Sequence, residues 1–216
     1  MGQKVDPRWF RVGFSKPHPT EWMAKTKGDT ATFFLEDIAI RKAVDEFYKR
    51  ASIAKVVIRK TKEGGEILIF TGKPALIVGK QGKRLDEFTK YLKSKIGREL
   101  KILVKEVKNP ELSARILSEY AAEQLEKRMP YRRVAKGTLS RAMSKGAVGV
   151  KIQISGRLNG VELSRSEQFL EGRIPLQTLR ADVDYHYTTA KTKYGILGVK
   201  VWVYKWDILE RRKTAR

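Results

Sequence analysis

The chain is 216 residues long, 41% hydrophobic and 9% aromatic, enough apolar material to build cores and to exclude wholesale disorder. It carries 46 Lys and Arg against 24 Asp and Glu, a formal charge of +22, and no cysteine, which excludes disulfide scaffolds, thiolate zinc sites and thiol nucleophiles. A folded body with that much like charge repels itself unless a polyanion sits against it, so nucleic acid leads the possible partners.

Residues 1–28 mix Pro7, Pro17, Pro19 and Gly13 with Trp9, Phe10 and Trp22 among basic residues. Such a segment reads as an extended arm that docks onto something, and it is expected to order only on binding, because few apolar residues offset the entropy of fixing it. A helical pattern begins at Asp29, with Ile40, Ala43, Val44, Phe47 and Ala51 on one face. Two β-rich runs follow, Ile53–Lys60 and Glu66–Thr71, joined across Glu63-Gly64-Gly65 as a hairpin. Pro74 opens a short apolar turn that stops at Gly79-Lys80-Gln81-Gly82. The next helix puts Leu85, Phe88, Leu92 and Ile96 on one side, with Gly97 as C-cap, and Leu100, Ile102 and Val104 mark a third strand.

Asn109-Pro110 marks a boundary, with Asn109 expected as N-cap of a helix that runs to about Met129. Pro130 breaks it, and a basic helix runs from Tyr131 to about Lys145. Val148–Ser155, Val161–Phe169, Leu179–Thr189 and Tyr194–Tyr204 read as strands, and the tail 210–216 as unstructured unless bound.

The G-x-x-G at 79–82 is the sharpest local signal. Two glycines without side chains let a nucleic-acid backbone approach closely, while helix N-terminal amides, Lys80 and Lys83 meet phosphates. Taken alone it is a tight inter-helix turn; inside an α-β-β-α-α-β order with Lys73 and Arg84 alongside, it resembles a type II KH domain over about 38–106. It is not a nucleotide P-loop, since Gln81 follows Gly79-Lys80 and no glycine stands five positions earlier. The second signal is the helix after Pro130. Arg132 and Lys136 share a face, Arg133 lies beside them, and Arg128 falls one turn earlier. No carboxylate lies between Lys127 and Lys145, which favours a phosphate track over an ordinary solvated face.

Signals for an enzyme are weak. His18 and His186 do not have the spacing of a metal pair. Asp182 and Asp184 share one strand face but read as partners of Arg180 or nearby lysines, and Trp202, Tyr204 and Trp206 read at least partly as core. No catalytic residue, metal site, cofactor or small-molecule substrate is expected. Nor is a membrane span or a secretory leader, which makes a cytoplasmic protein the expectation.

The sequence resembles the bacterial ribosomal protein S-three family from its first residues to about Ile208. The resemblance rests on the opening Met1-Gly2-Gln3-Lys4-Val5, the KH-like unit, Asn109-Pro110-Glu111-Leu112, Leu125-Glu126-Lys127-Arg128, and above all the run from Gly172 through Tyr185 and on from Tyr194 to Trp202. It implies a structural part of the small-subunit head that binds small-subunit rRNA, contacts the neighbouring proteins numbered ten and fourteen, and lines the path where mRNA enters. It also implies that Arg132, Arg133 and Lys136 form a basic trio that helps unwind mRNA there. Two positions depart from the family pattern: Pro130, where an ordinary helical residue is usual, and Gly137, where another basic residue is common. Each is expected to loosen the helix, Gly by about 1 kcal/mol relative to Ala.

The expected fold is α+β, in four parts. An arm with the start of the first helix spans 1–37, a type II KH domain 38–106, a second domain of two helices on a mostly antiparallel four-stranded sheet 107–209, and a basic tail 210–216. A free KH-type regulator of single-stranded RNA is one alternative, though it needs no long second domain. A nucleic-acid-processing enzyme is another, supported only by Asp182 and Asp184.

Overall fold

In a computed structural model, the described residues are 4–24, 26–49, 51–60, 65–97 and 100–208. They form two compact units: residues 18–110, and residues 111–208 together with residues 4–17.

The first unit opens with β1 (Thr20–Glu21) and α1 (Lys27–Phe47). The Thr26 hydroxyl caps α1 by accepting from the Asp29 amide at 3.2 Å. Ile40, Ala43 and Val44 are buried as their spacing predicts; α1 stops at Phe47, so Ala51 reaches the same core from beyond the helix. β2 (Ile53–Lys60) and β3 (Gly65–Thr71) pair antiparallel, Val56 opposite Ile69 and Ile58 opposite Ile67. Most of the expected turn, including Glu63 and Gly64, lies outside the described residues.

α2 (Pro74–Val78) and α3 (Lys83–Ile96) then carry the chain across to β4 (Leu100–Glu106), which lies parallel to β3. Parallel pairing requires such a crossover. The sheet order is β1-β2-β3-β4, and Ile77, Phe88 and Leu92 join α1 in the core. Gly97 ends α3 in the left-handed conformation, φ 73°, as its position predicts. Residues 18–24, read from sequence as arm, belong to this unit. The Trp22 Nε1–H donates to Asp37 Oδ2 at 2.7 Å, and Asp37 Oδ1 pairs with the buried Lys60 Nζ at 2.7 Å.

The second unit is two helices on a sheet of order β6-β5-β8-β7, antiparallel throughout. Its helices are α4 (Ala114–Glu126) and α5 (Tyr131–Ser144), and its strands β5 (Gly149–Gly156), β6 (Arg165–Gly172), β7 (Ala181–Thr192) and β8 (Gly195–Asp207). Leu117, Ala121 and Leu125 of α4 and Val134, Ala135 and Leu139 of α5 pack on Val150, Ile152, Val199 and Val201. Two element starts differ most from the expected ones. Pro110 opens a 3-10 turn and α4 starts only at Ala114, whose amide donates to Asp184 Oδ2 at 3.0 Å; the cap comes from β7, not from Asn109. β6 begins at Arg165, because the chain bends through residues 161–164 after a 3-10 turn at Leu158–Gly160 with Asn159 at φ 56°.

Residues 4–17 are pinned to this unit, not left to order on a partner. Arg11 is fully buried, and its guanidinium donates to the carbonyls of Pro7 (2.8 Å), Pro175 (3.1 Å), Leu176 (3.0 Å), Thr178 (2.8 Å) and Ala181 (2.7 Å). Lys16 Nζ adds an ion pair with Asp182 at 2.7 Å. The segment is held by charge-assisted hydrogen bonds where apolar burial is scarce. The tail 210–216 lies outside the described residues.

Candidate nucleic-acid interface

The loop at 79–82 is built by backbone left-handedness. α2 ends at Gly79 with φ 71°, Gln81 sits at φ 54° and Gly82 at φ 78°, after which α3 begins at Lys83. Glycine is required at 79, because a Cβ there would lie 2.7 Å from the Arg84 Cβ; at Gly82 an added Cβ meets nothing within 4 Å. Lys80, Gln81 and Lys83 are exposed, and no side chain caps α3, so its first amides face the loop. Arg84, grouped from sequence with the flanking cations, is exposed as well but lies against two aromatic rings. Its guanidinium lies 5.7 Å from the Tyr48 ring centre and 5.9 Å from that of Phe47.

On α5 the division between faces is clean. Tyr131, Val134, Ala135 and Leu139 are buried, while Arg132, Arg133 and Lys136 are exposed. Pro130 stands just before the helix and its carbonyl accepts from the Arg133 and Val134 amides, at 3.0 and 3.1 Å. In that position its missing N–H costs nothing, and the helix runs through Gly137 without a break. The expected loosening is therefore absent at Pro130. Arg128, placed by sequence on the same face, lies in the turn before α5 at φ 60°.

A carboxylate does reach this face from elsewhere in the chain. The Tyr131 hydroxyl donates to Glu167 Oε1 of β6 at 2.8 Å, Arg132 Nε donates to that hydroxyl at 3.1 Å, and Arg132 Nη2 lies 3.7 Å from Glu167. The hydroxyl contact, and then Glu167, raise the already high pKa of Arg132. Arg133 and Lys136 form no ion pair among the described residues.

The residues that hinted at chemistry are occupied structurally. Asp182 pairs with Lys16, Arg180 with Asp207, and Asp184 accepts from the Ala114 and Tyr185 amides. His186 Nδ1 is 2.8 Å from the Ser118 hydroxyl. Among the described residues, no three His, Asp or Glu side chains are placed to hold a metal, and no helix is long and apolar enough to cross a membrane. Trp202 and Tyr204 are buried in a small core with Ala181 and Val183.

Comparison with known proteins agrees with both units. The family model for the KH domain matches residues 39–112, and that for "Ribosomal protein S3, C-terminal domain" matches residues 121–203. The chain is 45% identical over 214 residues to small ribosomal subunit protein uS3 of Persephonella marina, covering 99% of this chain and 94% of the relative. It is 42% identical over 216 residues to the uS3 protein of Marinobacter nauticus, covering 100% and 95%. Against the uS3 protein of Polaromonas sp. strain JS666 it is 41% identical over 214 residues, covering 99% and 71%. The chain belongs to the uS3 family of small ribosomal subunit proteins.

Proposed function

We propose that this chain is a structural constituent of the small-subunit head in the cytoplasm, that it binds small-subunit rRNA, and that it sits beside the head proteins numbered ten and fourteen. Its basic surface neutralises rRNA phosphates, which positions the protein without reading sequence. The loop 79–82 offers bare backbone and Lys80 and Lys83 to an RNA strand. The exposed trio Arg132, Arg133 and Lys136 grips the phosphates of mRNA entering the subunit, so that the moving ribosome pulls the strand against a fixed cationic face and opens its structure. The protein itself hydrolyses nothing.

The observation that carries the mRNA reading is the geometry of α5: three cations on one exposed face of a helix whose other face is buried in the core. Replacing all three with Ala should leave assembly intact, since none is buried, and slow translation through stable mRNA hairpins while unstructured messages pass at the normal rate. Unchanged hairpin passage in assembled ribosomes would refute it.

A further inference from the structure

The helices cover one face of the second unit's sheet; the other face carries a pattern that the readings above leave unused. Strand register sets Lys151, Trp202 and Tyr185 side by side across β5, β8 and β7, and the next row on that face is Gln153, Lys200 and Tyr187. Cations and aromatic rings thus lie side by side over two rows that hold no carboxylate. Lys151 Nζ lies 5.4 Å from the Trp202 ring centre, and Trp202 packs against Tyr185 at 5.1 Å between ring centres. Trp202 is buried, whereas Tyr187 is 49% exposed. The Tyr187 ring passes over Gly198, where an added Cβ would come within 3.2 Å of it.

The pinned segment 4–17 adds to this face. Arg8 lies 5.8 Å from the Tyr185 ring centre, and the nearest acid, Asp6, is already paired with Arg8 at 3.1 Å. Lys4 approaches Lys151: burial first, and then the Lys4 ammonium, pull the Lys151 pKa down. Two ammonium groups brought together in this way are relieved by an anion. Among the described residues, neither Lys151 nor Lys200 is in an ion pair.

We propose that the uncovered part of this sheet face is a second RNA platform, on which Lys151 and Lys200 hold phosphates and Tyr187 stacks a base of a small-subunit rRNA strand. Diagonal positions on neighbouring strands lie about 7 Å apart, near the separation of successive phosphates along a strand, and a half-exposed ring beside them suits a base of any identity. The platform lies on the opposite side of the unit from the exposed face of α5. A strand both gripped and stacked is held in place, which fits a stationary rRNA segment and not a moving message. The inference rests on the rRNA-binding reading and names one surface for it.

The test measures binding of the full chain to a transcript of the small-subunit rRNA across a salt series. Lys151→Gln with Lys200→Gln should weaken binding about tenfold and flatten the log–log salt dependence by roughly 1.5, two phosphate contacts' worth. Tyr187→Ala should weaken it about fivefold or more at every salt concentration with the slope unchanged. Lys151→Arg with Lys200→Arg should bind as the original does, and Lys200→Gln alone serves if the double variant fails to fold. If the original chain binds and these variants match it in affinity and slope, the platform is wrong and the rRNA reading stands. If the original chain itself shows no salt-dependent binding, the rRNA reading falls and the platform with it. Variants that bind the transcript normally yet drop out of reconstituted subunits would assign the face to a neighbouring protein and overturn the proposal.

Discussion

The Nε of Arg11 donates a 2.7 Å hydrogen bond to the carbonyl oxygen of Ala181, 170 positions further along the chain. Four more carbonyls converge on the same guanidinium, which is fully buried. Hydrogen bonds to a charged donor contribute more than neutral ones, and truncation strands the acceptors. Arg11→Ala should therefore cost about 3 kcal/mol. Arg11→Lys should recover little, because an ammonium lacks the planar fork that reaches five oxygens. Urea midpoints of the three proteins check both statements; a near-normal midpoint for Arg11→Lys would mean that charge alone holds the segment.

Asp184 supplies the cap of α4 from seventy residues away, accepting from the Ala114 amide at 3.0 Å. Losing an N-cap typically costs about 1–2 kcal/mol. Asp184→Ala should fall in that range, while Asp184→Asn, which keeps an acceptor oxygen, should lose clearly less. Thermal or urea unfolding distinguishes them, and equal losses would assign the carboxylate's worth to its charge.

Gly79 and Gly82 both have positive φ but differ in room. An alanine at Gly82 should cost about 1 kcal/mol for its left-handed backbone, and one at Gly79 should cost more, because its Cβ also meets Arg84 at 2.7 Å. Gly82→Asp, which carries only that backbone cost, accordingly probes the loop in a chain that still folds. It should weaken binding to single-stranded RNA by placing a carboxylate where the backbone approaches; equal affinity in the folded variant would reduce the loop to a turn.

Tyr48 is buried, and its hydroxyl has no hydrogen-bond partner among the described residues. Burial pushes its pKa up to about 12, with Arg84 opposing and Glu87 adding. The folded state therefore keeps a proton that the unfolded chain releases above pH 10, so stability is fully present below pH 10 and lost as pH rises toward 12. The slope from this one group is about 1.4 kcal/mol per pH unit. Tyr48→Phe should be neutral or slightly stabilising at pH 7 and should flatten the alkaline decline relative to the original chain. Parallel unfolding curves for the two proteins from pH 9 to 11.5 would contradict this.

Local signals in the sequence placed most elements of the fold. The 3.6-residue spacing of Ile40, Ala43 and Val44, the alternation of β4 and the glycine at 97 each act within a few residues, and each appears in the structure at the expected place. What sequence reading missed depends on long-range partners. Asn109 looked like a cap because Asp184 is far off in the chain; Arg11 drew no attention because its acceptors are backbone carbonyls, which leave no trace in side-chain pattern. Glu167 escaped notice for the same reason, since its approach to Arg132 depends on β6 packing beside α5. Of the candidate site, the exposed trio and the loop conformation were legible, whereas the register that aligns Lys151, Trp202 and Tyr185 requires knowing that β8 lies between β5 and β7.

Whether this chain is a built-in part of the small subunit is decided by sedimentation of the tagged protein from a cell lysate. A built-in protein travels in stoichiometric amount with small-subunit rRNA and stays there through a high-salt wash, and that is the expected result. A chain that runs free of the subunit, or that salt strips away as a loosely held polycation, would contradict it.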